Sequence, residues 1–78
     1  MSAGTVAVAT MAVDLFEAAQ NYLEARDELT AREDAHSELI HAGELQPGDL
    51  DVAEIALTAA EEREALALAR LRAKVAAW

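Results

Sequence analysis

The sequence predicts an all-α protein, an antiparallel hairpin of two helices that is completed by oligomerisation or by packing onto a partner. Two alanine-rich segments with helically spaced apolar residues flank the helix-breaking pair Pro47-Gly48. Hydrophobic residues make up 54% of the 78 positions, and many of them are alanine, the strongest helix former. The second segment carries large apolar residues on two opposite faces, and a lone hairpin covers only one of them.

The first predicted helix covers residues 10–42, and residues 1–9 form either an N-terminal arm or an extension of that helix. Apolar residues recur at spacings of three, four or seven, and carboxylates collect on the opposite, solvated side. The apolar stripe contains Met11, Leu15, Ala19, Tyr22, Leu29, His36 and Ile40, with Phe16 and Leu23 beside it. Ala42-Gly43 is the predicted stop, because glycine adopts the left-handed conformation that ends a helix without steric strain.

A connector over residues 43–50 leads into the second predicted helix, residues 51–78, and the whole chain forms a single domain. Asp49 or Asp51 is the expected N-cap, because a carboxylate accepts hydrogen bonds from the free N–H groups of the first turn. Glu54 follows Asp51 by three residues, which is the spacing of a capping box.

The second helix has two apolar faces when its residues are placed about 100° apart. The face predicted to pack on the first helix contains Leu50, Leu57, Leu68, Leu71, Val75 and Trp78. The opposite face contains Val52, Ile55 and Leu66, which have no partner within a hairpin. We predict that both faces are interfaces, together with Leu15, Tyr22 and Leu29 of the first helix, because helices that are apolar on several sides are usually buried. The alternative is loose, single-sided packing.

Charged residues interrupt the predicted contact between the helices. Arg26 and Glu33 lie in the apolar stripe of the first helix, seven residues apart. In an antiparallel hairpin, Arg26 is expected to pair with Glu61, Glu62 or Glu64, and Arg63 with Glu28 or Glu33. Such pairs fix register more than they add stability. The alternative is that these side chains reach outward from the edge of the contact into water.

Glu33 and His36 form a Glu-x-x-His pair, which places a carboxylate and an imidazole one turn apart on one helix face. Ferritin-like bundles hold two iron ions with this spacing and with glutamates from facing helices, a role that Glu54, Glu61 or Glu62 could fill. However, the pair occurs once per chain, and the predicted hairpin places Glu33 level with Thr58, which is not a carboxylate. We therefore predict no metal site and no cofactor.

Composition excludes several classes of function. The formal charge is -9, from 6 Lys and Arg against 15 Asp and Glu, so nucleic acid and anionic membranes are not the expected partners. The chain has no cysteine for a disulfide or thiolate, and it lacks nucleophile elbows and glycine-rich phosphate loops. We predict that it is not an enzyme and that its partners are proteins, with a homo-oligomer expected.

The apolar start of the chain does not resemble a secretory signal or a membrane span. No basic residue precedes Arg26, and Asp14 ends the apolar run well short of the roughly 20 residues that a span requires. The expected location is the cytoplasm or the interior of a macromolecular assembly.

Three functions are compatible with these patterns. The first is a non-catalytic structural or accessory subunit that packs into a homo-oligomer or a virion-like particle. The second is an acidic inhibitor or adaptor for a basic protein surface, since residues 10–41 hold eight acidic and two basic side chains. The third is an iron-binding bundle.

Overall fold

A computed structural model describes residues 3–43 and 45–78, and side-chain environments from residue 7 onward, again without residue 44. Helix α1 spans Ala3–His41 and helix α2 spans Asp49–Ala77, and the described residues contain no strand. The two helices pack along each other as a rod of 64 × 14 × 13 Å. The predicted all-α helical hairpin is therefore confirmed.

Helix α1 includes most of the segment that the sequence left open between an arm and a helix extension. From Ala3 onward this segment is helical, whereas Met1 and Ser2 lie outside the described residues. At the other end α1 stops at His41, and Gly43 has φ 77°, the left-handed conformation expected of a terminating glycine. The Ala42 N–H donates to the Leu39 carbonyl at 3.3 Å, which closes the last turn.

The start of α2 differs from the prediction that Asp49 or Asp51 caps it. The N-cap is Gly48, which has φ 90° and makes no side-chain capping bond. Asp49 is already the first helical residue, and its Oδ2 accepts a hydrogen bond from the Gln46 N–H at 2.9 Å. Asp51 lies within the first turn, so it cannot start a capping box with Glu54, although both aspartates suit the positive end of the helix dipole. Glu44 of the predicted connector lies outside the described residues.

Two ion pairs mark the antiparallel register of the helices. Arg63 pairs with Glu28, and the Nζ of Lys74 lies 3.6 Å from Oδ2 of Asp14. This register brings large residues level with alanines along the contact between the helices. The level pairs are Ala18 with Leu71, Tyr22 with Ala67, Leu29 with Ala60, and His36 with Ala53.

The core of the hairpin is thin. Only Ala18, Ala25, Leu29 and Ala60 are buried among the residues whose side chains are described. Alanine side chains let the two helices approach closely, but each offers a single methyl group for burial, worth about 0.8 kcal/mol. The contact therefore defines a register without enclosing a large apolar interior. Along the described residues, no helix has a stretch that is both apolar enough and long enough for a bilayer.

The helices differ in length, with 39 residues in α1 and 29 in α2. At the register of the ion pairs, Met11 comes level with Trp78, the last residue of the chain. The N-terminal part of α1 therefore extends past the end of α2, and neither of the described helices lies beside it. Val8, in this extension, is 57% exposed.

Candidate interaction surface

The face of α2 that meets α1 follows a seven-residue repeat with alternating spacings of three and four. We call it the inner seam. Its residues are Leu50, Ala53, Leu57, Ala60, Glu64, Ala67 and Leu71. Every one of them is buried or half-buried, as expected for the core positions of two helices packed side by side.

The opposite face of α2 follows the same alternating repeat, and we call it the outer seam. Its residues are Val52, Ile55, Ala59, Glu62, Leu66, Ala69, Ala73 and Ala76. Every one of them is exposed, with exposed fractions of 68% for Val52, 70% for Ile55 and 54% for Leu66. The outer seam therefore has the spacing of a helix–helix contact. No described helix packs along it, although Leu66 and Ala73 border the groove beside α1.

The face of α2 predicted to pack on α1 is partly observed. Leu57, Leu68 and Leu71 are half-buried, as that prediction requires. Val75 and Trp78 are instead 56% and 61% exposed, because Val75 lies beside the seven-residue repeat and Trp78 lies at the open end of the hairpin. These two residues face solvent in the isolated chain and do not belong to the hairpin core.

The predicted interface residues of α1 lie on the face toward α2. Leu29 is buried, and Leu15 and Tyr22 are half-buried. Phe16 and Leu23, which were placed beside this stripe, are 62% and 59% exposed.

The prediction also placed Ile40 in the α1 stripe, but this residue is 51% exposed and its neighbour Leu39 is half-buried. The sequence reasoning missed the buried Ala18 and Ala25, because it searched for large side chains. A seven-residue repeat through Met11, Ala18 and Ala25 was the available signal, and it reaches Leu39 only after the exposed Arg32 at its fourth position.

The ion pairs neutralise one side of the hairpin. The predicted pairing of Arg63 with Glu28 is observed, and Lys74 with Asp14 extends the same arrangement toward the open end. These residues line a groove whose α1 wall is acidic and whose α2 wall is basic. Arg26 is exposed and makes no ion pair with any described residue, which agrees with the alternative that it reaches outward.

Charge along α2 is divided between its two halves. Residues 49–62 contain five carboxylates and no cation. Residues 63–78 contain four cations and one carboxylate. Glu62, Arg70 and Arg72 are exposed and make no ion pair among the described residues, although Arg70 lines the groove that faces the carboxylates of α1.

The three candidate metal ligands are not brought together. Glu33 is exposed, and Glu62 lies on the outer seam, away from α1. His36 is half-buried, and its Nε2 is sheltered from solvent without a hydrogen-bond partner. No group of three or more histidine, aspartate or glutamate side chains suited to a metal occurs in the described part of the chain.

Comparison with known proteins assigns no function to this chain, so a functional assignment rests on its geometry. The chain matches no protein-family model, no curated protein and no solved structure. The feature of the described residues that calls for a functional explanation is a second complete helix-packing seam on α2.

Proposed function

We propose that the protein is a non-catalytic structural or accessory subunit, a helical hairpin that packs into a larger protein assembly. The observation that carries this proposal is the exposed outer seam of α2. Val52, Ile55 and Leu66 are all more than half exposed, although their spacing is that of residues in a helix–helix contact. A homo-oligomer or a virion-like particle would supply the missing contact.

The energetics favour assembly. Burying a large aliphatic side chain contributes about 1.5–3 kcal/mol, whereas the hairpin core consists of three alanines and Leu29. A folded domain has a net stability of about 5–15 kcal/mol, so three newly buried aliphatic side chains would add a large fraction of that total. We infer that the hairpin gains much of its stability from the surface that covers its outer seam.

The shape supports a non-catalytic role. The rod extends 64 Å along its axis and only 14 × 13 Å across it, so the described chain is two helices thick at most. An enclosed, dry pocket for a small substrate needs more layers than this. A long, thin hairpin instead presents most of its side chains to neighbouring proteins.

The test is the native mass of the purified chain, measured by light scattering at low and high salt and at two protein concentrations. We expect a discrete oligomer that persists at high salt, because apolar contacts resist screening. A chain that stays monomeric under all four conditions, and still unfolds cooperatively, would contradict the proposal, since its folded state would need no further surface.

A second candidate is an acidic inhibitor or adaptor that binds a basic protein surface. The observation in its favour is that only Asp14 and Glu28, of the eight acidic side chains in α1, pair with cations among the described residues. Six carboxylates on this helix are left for another protein. This function predicts a monomeric chain whose binding to a basic partner weakens steeply with salt, so the same comparison of salt conditions separates the two candidates.

A further inference from the structure

We infer that the outer seam of α2 binds a second copy of this chain, with the two α2 helices packed antiparallel. The inference rests on the proposed assembly function and names its surface and its partner. Two properties of the outer seam favour a second copy in this orientation: the distribution of side-chain size and the distribution of charge.

Side-chain size varies along the outer seam in a self-complementary way. The large residues Val52 and Ile55 lie near its start, whereas its last three positions are all alanine. An antiparallel copy aligned about residue 64 places large residues against alanines at both ends. The resulting layers join Val52 to Ala76, Ile55 to Ala73, Ala59 to Ala69, and Glu62 to Leu66.

The contact inside the hairpin follows the same rule, since Leu29 comes level with Ala60 and Tyr22 with Ala67. A parallel arrangement would instead set Ile55 against Ile55 and Ala73 against Ala73. One end of that interface would be crowded and the other would contain voids, and both defects are unfavourable in a close-packed contact. Size therefore selects the antiparallel orientation.

Charge selects the same orientation. An antiparallel copy brings the acidic half of α2, residues 49–62, beside residues 63–78. In that second half Arg63 and Lys74 pair with α1, whereas Arg70 and Arg72 make no ion pair among the described residues. The two helix dipoles then also oppose each other favourably. A parallel copy would place five carboxylates beside five carboxylates, which is repulsive.

One charged pair makes this orientation specific. Glu62 is the single charged residue of the outer seam, and in the antiparallel alignment it faces Leu66 of the second copy. Arg70 of that copy is one helical turn farther along, within reach of a long carboxylate side chain. Within one chain, Glu62 and Arg70 are eight residues apart, about 12 Å along the helix, which is too far for an ion pair. The pair is therefore formed between chains.

The arrangement has twofold symmetry, so both copies use the same residues. Four helices then lie in the order α1, α2, α2, α1, and each α2 is covered on both of its seams. This assembly removes Val52, Ile55 and Leu66 from solvent without changing the hairpin.

A charge exchange tests the proposed pair. We expect Glu62→Arg and Arg70→Glu each to weaken self-association about tenfold or more, because each places like charges together across the interface. The double variant, Glu62→Arg with Arg70→Glu, should recover most of the wild-type dissociation constant in sedimentation equilibrium. Single variants with unchanged association, or a double variant no stronger than the weaker single one, would overturn the inference.

Cross-linking tests the orientation of the two copies. Because the chain has no native cysteine, only the introduced cysteines can form a disulfide. Two chains, one with Ala59→Cys and one with Ala69→Cys, should form a mixed disulfide when oxidised together, since these positions face each other. Neither chain should cross-link efficiently with itself. Ala65→Cys is the control, because residue 65 is exposed on α2 but lies beside the outer seam. Self-linking of Ala59→Cys at the rate of the mixed pair would overturn the antiparallel alignment.

Leu66→Glu separates this inference from the proposed function. We expect Leu66→Glu to lower the native mass while keeping most of the helical signal, and Ala65→Glu to leave both unchanged. If the wild-type chain is oligomeric and Leu66→Glu leaves its mass unchanged, assembly uses another surface and only the inference fails. If the wild-type chain is a stable monomer, both proposals fail.

Discussion

The two faces of α2 have the same spacing but opposite environments. Along the inner seam every residue is buried or half-buried, and along the outer seam every residue is exposed. Each seam carries three large aliphatic residues, with Leu50, Leu57 and Leu71 on the inner one. The outer seam is therefore not a weaker version of the inner seam, and the difference between them is the presence of α1.

This comparison explains why a hairpin leaves one face unsatisfied. A helix with two apolar faces needs a neighbour on each side, and a chain with two helices supplies only one. The seven-residue repeat of apolar and small residues makes a face of α2 suited to packing against another helix. The number of helices in the chain determines whether the same chain covers it.

The largest predicted effect on stability comes from a substitution at one of two adjacent alanines, which lie on different seams. Ala60 is 2% exposed on the inner seam, and Ala59 is exposed on the outer seam. Ala60→Glu should lower the free energy of unfolding by about 3 kcal/mol or more, because it buries an unpaired carboxylate in a close helix contact. Urea unfolding followed by circular dichroism measures this effect.

Ala59→Glu is the matched control, with the same substitution one residue away. We expect it to keep most of the helical signal and to lower the native mass. Equal loss of helical structure in the two variants would show that the two seams are not distinct.

Leucine truncation is expected to give the next largest effect. Leu29 is 6% exposed at the centre of the hairpin contact, so Leu29→Ala should cost about 2–5 kcal/mol. Leu66→Ala, tested at dilution where the chain is monomeric, should change the free energy of unfolding by less than about 1 kcal/mol, because Leu66 is 54% exposed. A larger loss from Leu66→Ala would mean that the monomer itself buries this residue.

The next prediction concerns the connector between α1 and α2. A change there affects the contact between the two helices, which is the inner seam, and leaves the outer seam unaltered. Gly48 has φ 90°, a conformation that alanine adopts only with strain, and a Cβ there would meet no atom within 4 Å. Gly48→Ala should therefore lower the free energy of unfolding by about 1–2 kcal/mol through backbone strain rather than a clash. Gly48→Asn is the control and should lose less, because asparagine tolerates left-handed backbone better. Equal losses would indicate a cause other than the backbone conformation.

The smallest expected effect concerns the ion pair between Arg63 and Glu28. The Arg63 side chain is 57% exposed and that of Glu28 is 35% exposed, so solvent screens their attraction. A double-mutant cycle with Arg63→Ala and Glu28→Ala should give a coupling of about 0.5 kcal/mol or less. A coupling well above 1 kcal/mol would indicate that this pair, rather than the alanine contact, holds the helices together.

The sequence predicted the hairpin from Pro47-Gly48 and the terminating Gly43, because proline cannot continue a helix and glycine readily adopts the left-handed backbone that ends one. It did not predict the start of α2. Gly48 is the N-cap, so Asp49 comes one residue too late to cap the helix, and its carboxylate accepts a hydrogen bond from the Gln46 N–H instead. Ala18 and Ala25 were missed as core because large side chains dominate the hydrophobic pattern. The seven-residue spacing that they share with Met11 is the pattern that marks these alanines as core positions.

The outer seam was predictable as an apolar face through Val52, Ile55 and Leu66. Its uninterrupted repeat emerged only when the inner seam had been defined by burial, because alanines and Glu62 make up all of its remaining positions. Charge and size along the seam then favour a second copy of the chain as its occupant. A pattern in one helix does not by itself specify which chain covers it.

The most direct test of the central claim, that a second copy of this chain covers the outer seam, is thermal unfolding at two protein concentrations about a hundredfold apart. Association through this seam links folding to concentration, so the unfolding midpoint should rise at the higher concentration. In the Leu66→Glu variant the midpoint should be independent of concentration. A wild-type chain that unfolds cooperatively at one temperature regardless of concentration would contradict the claim, because the hairpin would then be complete by itself.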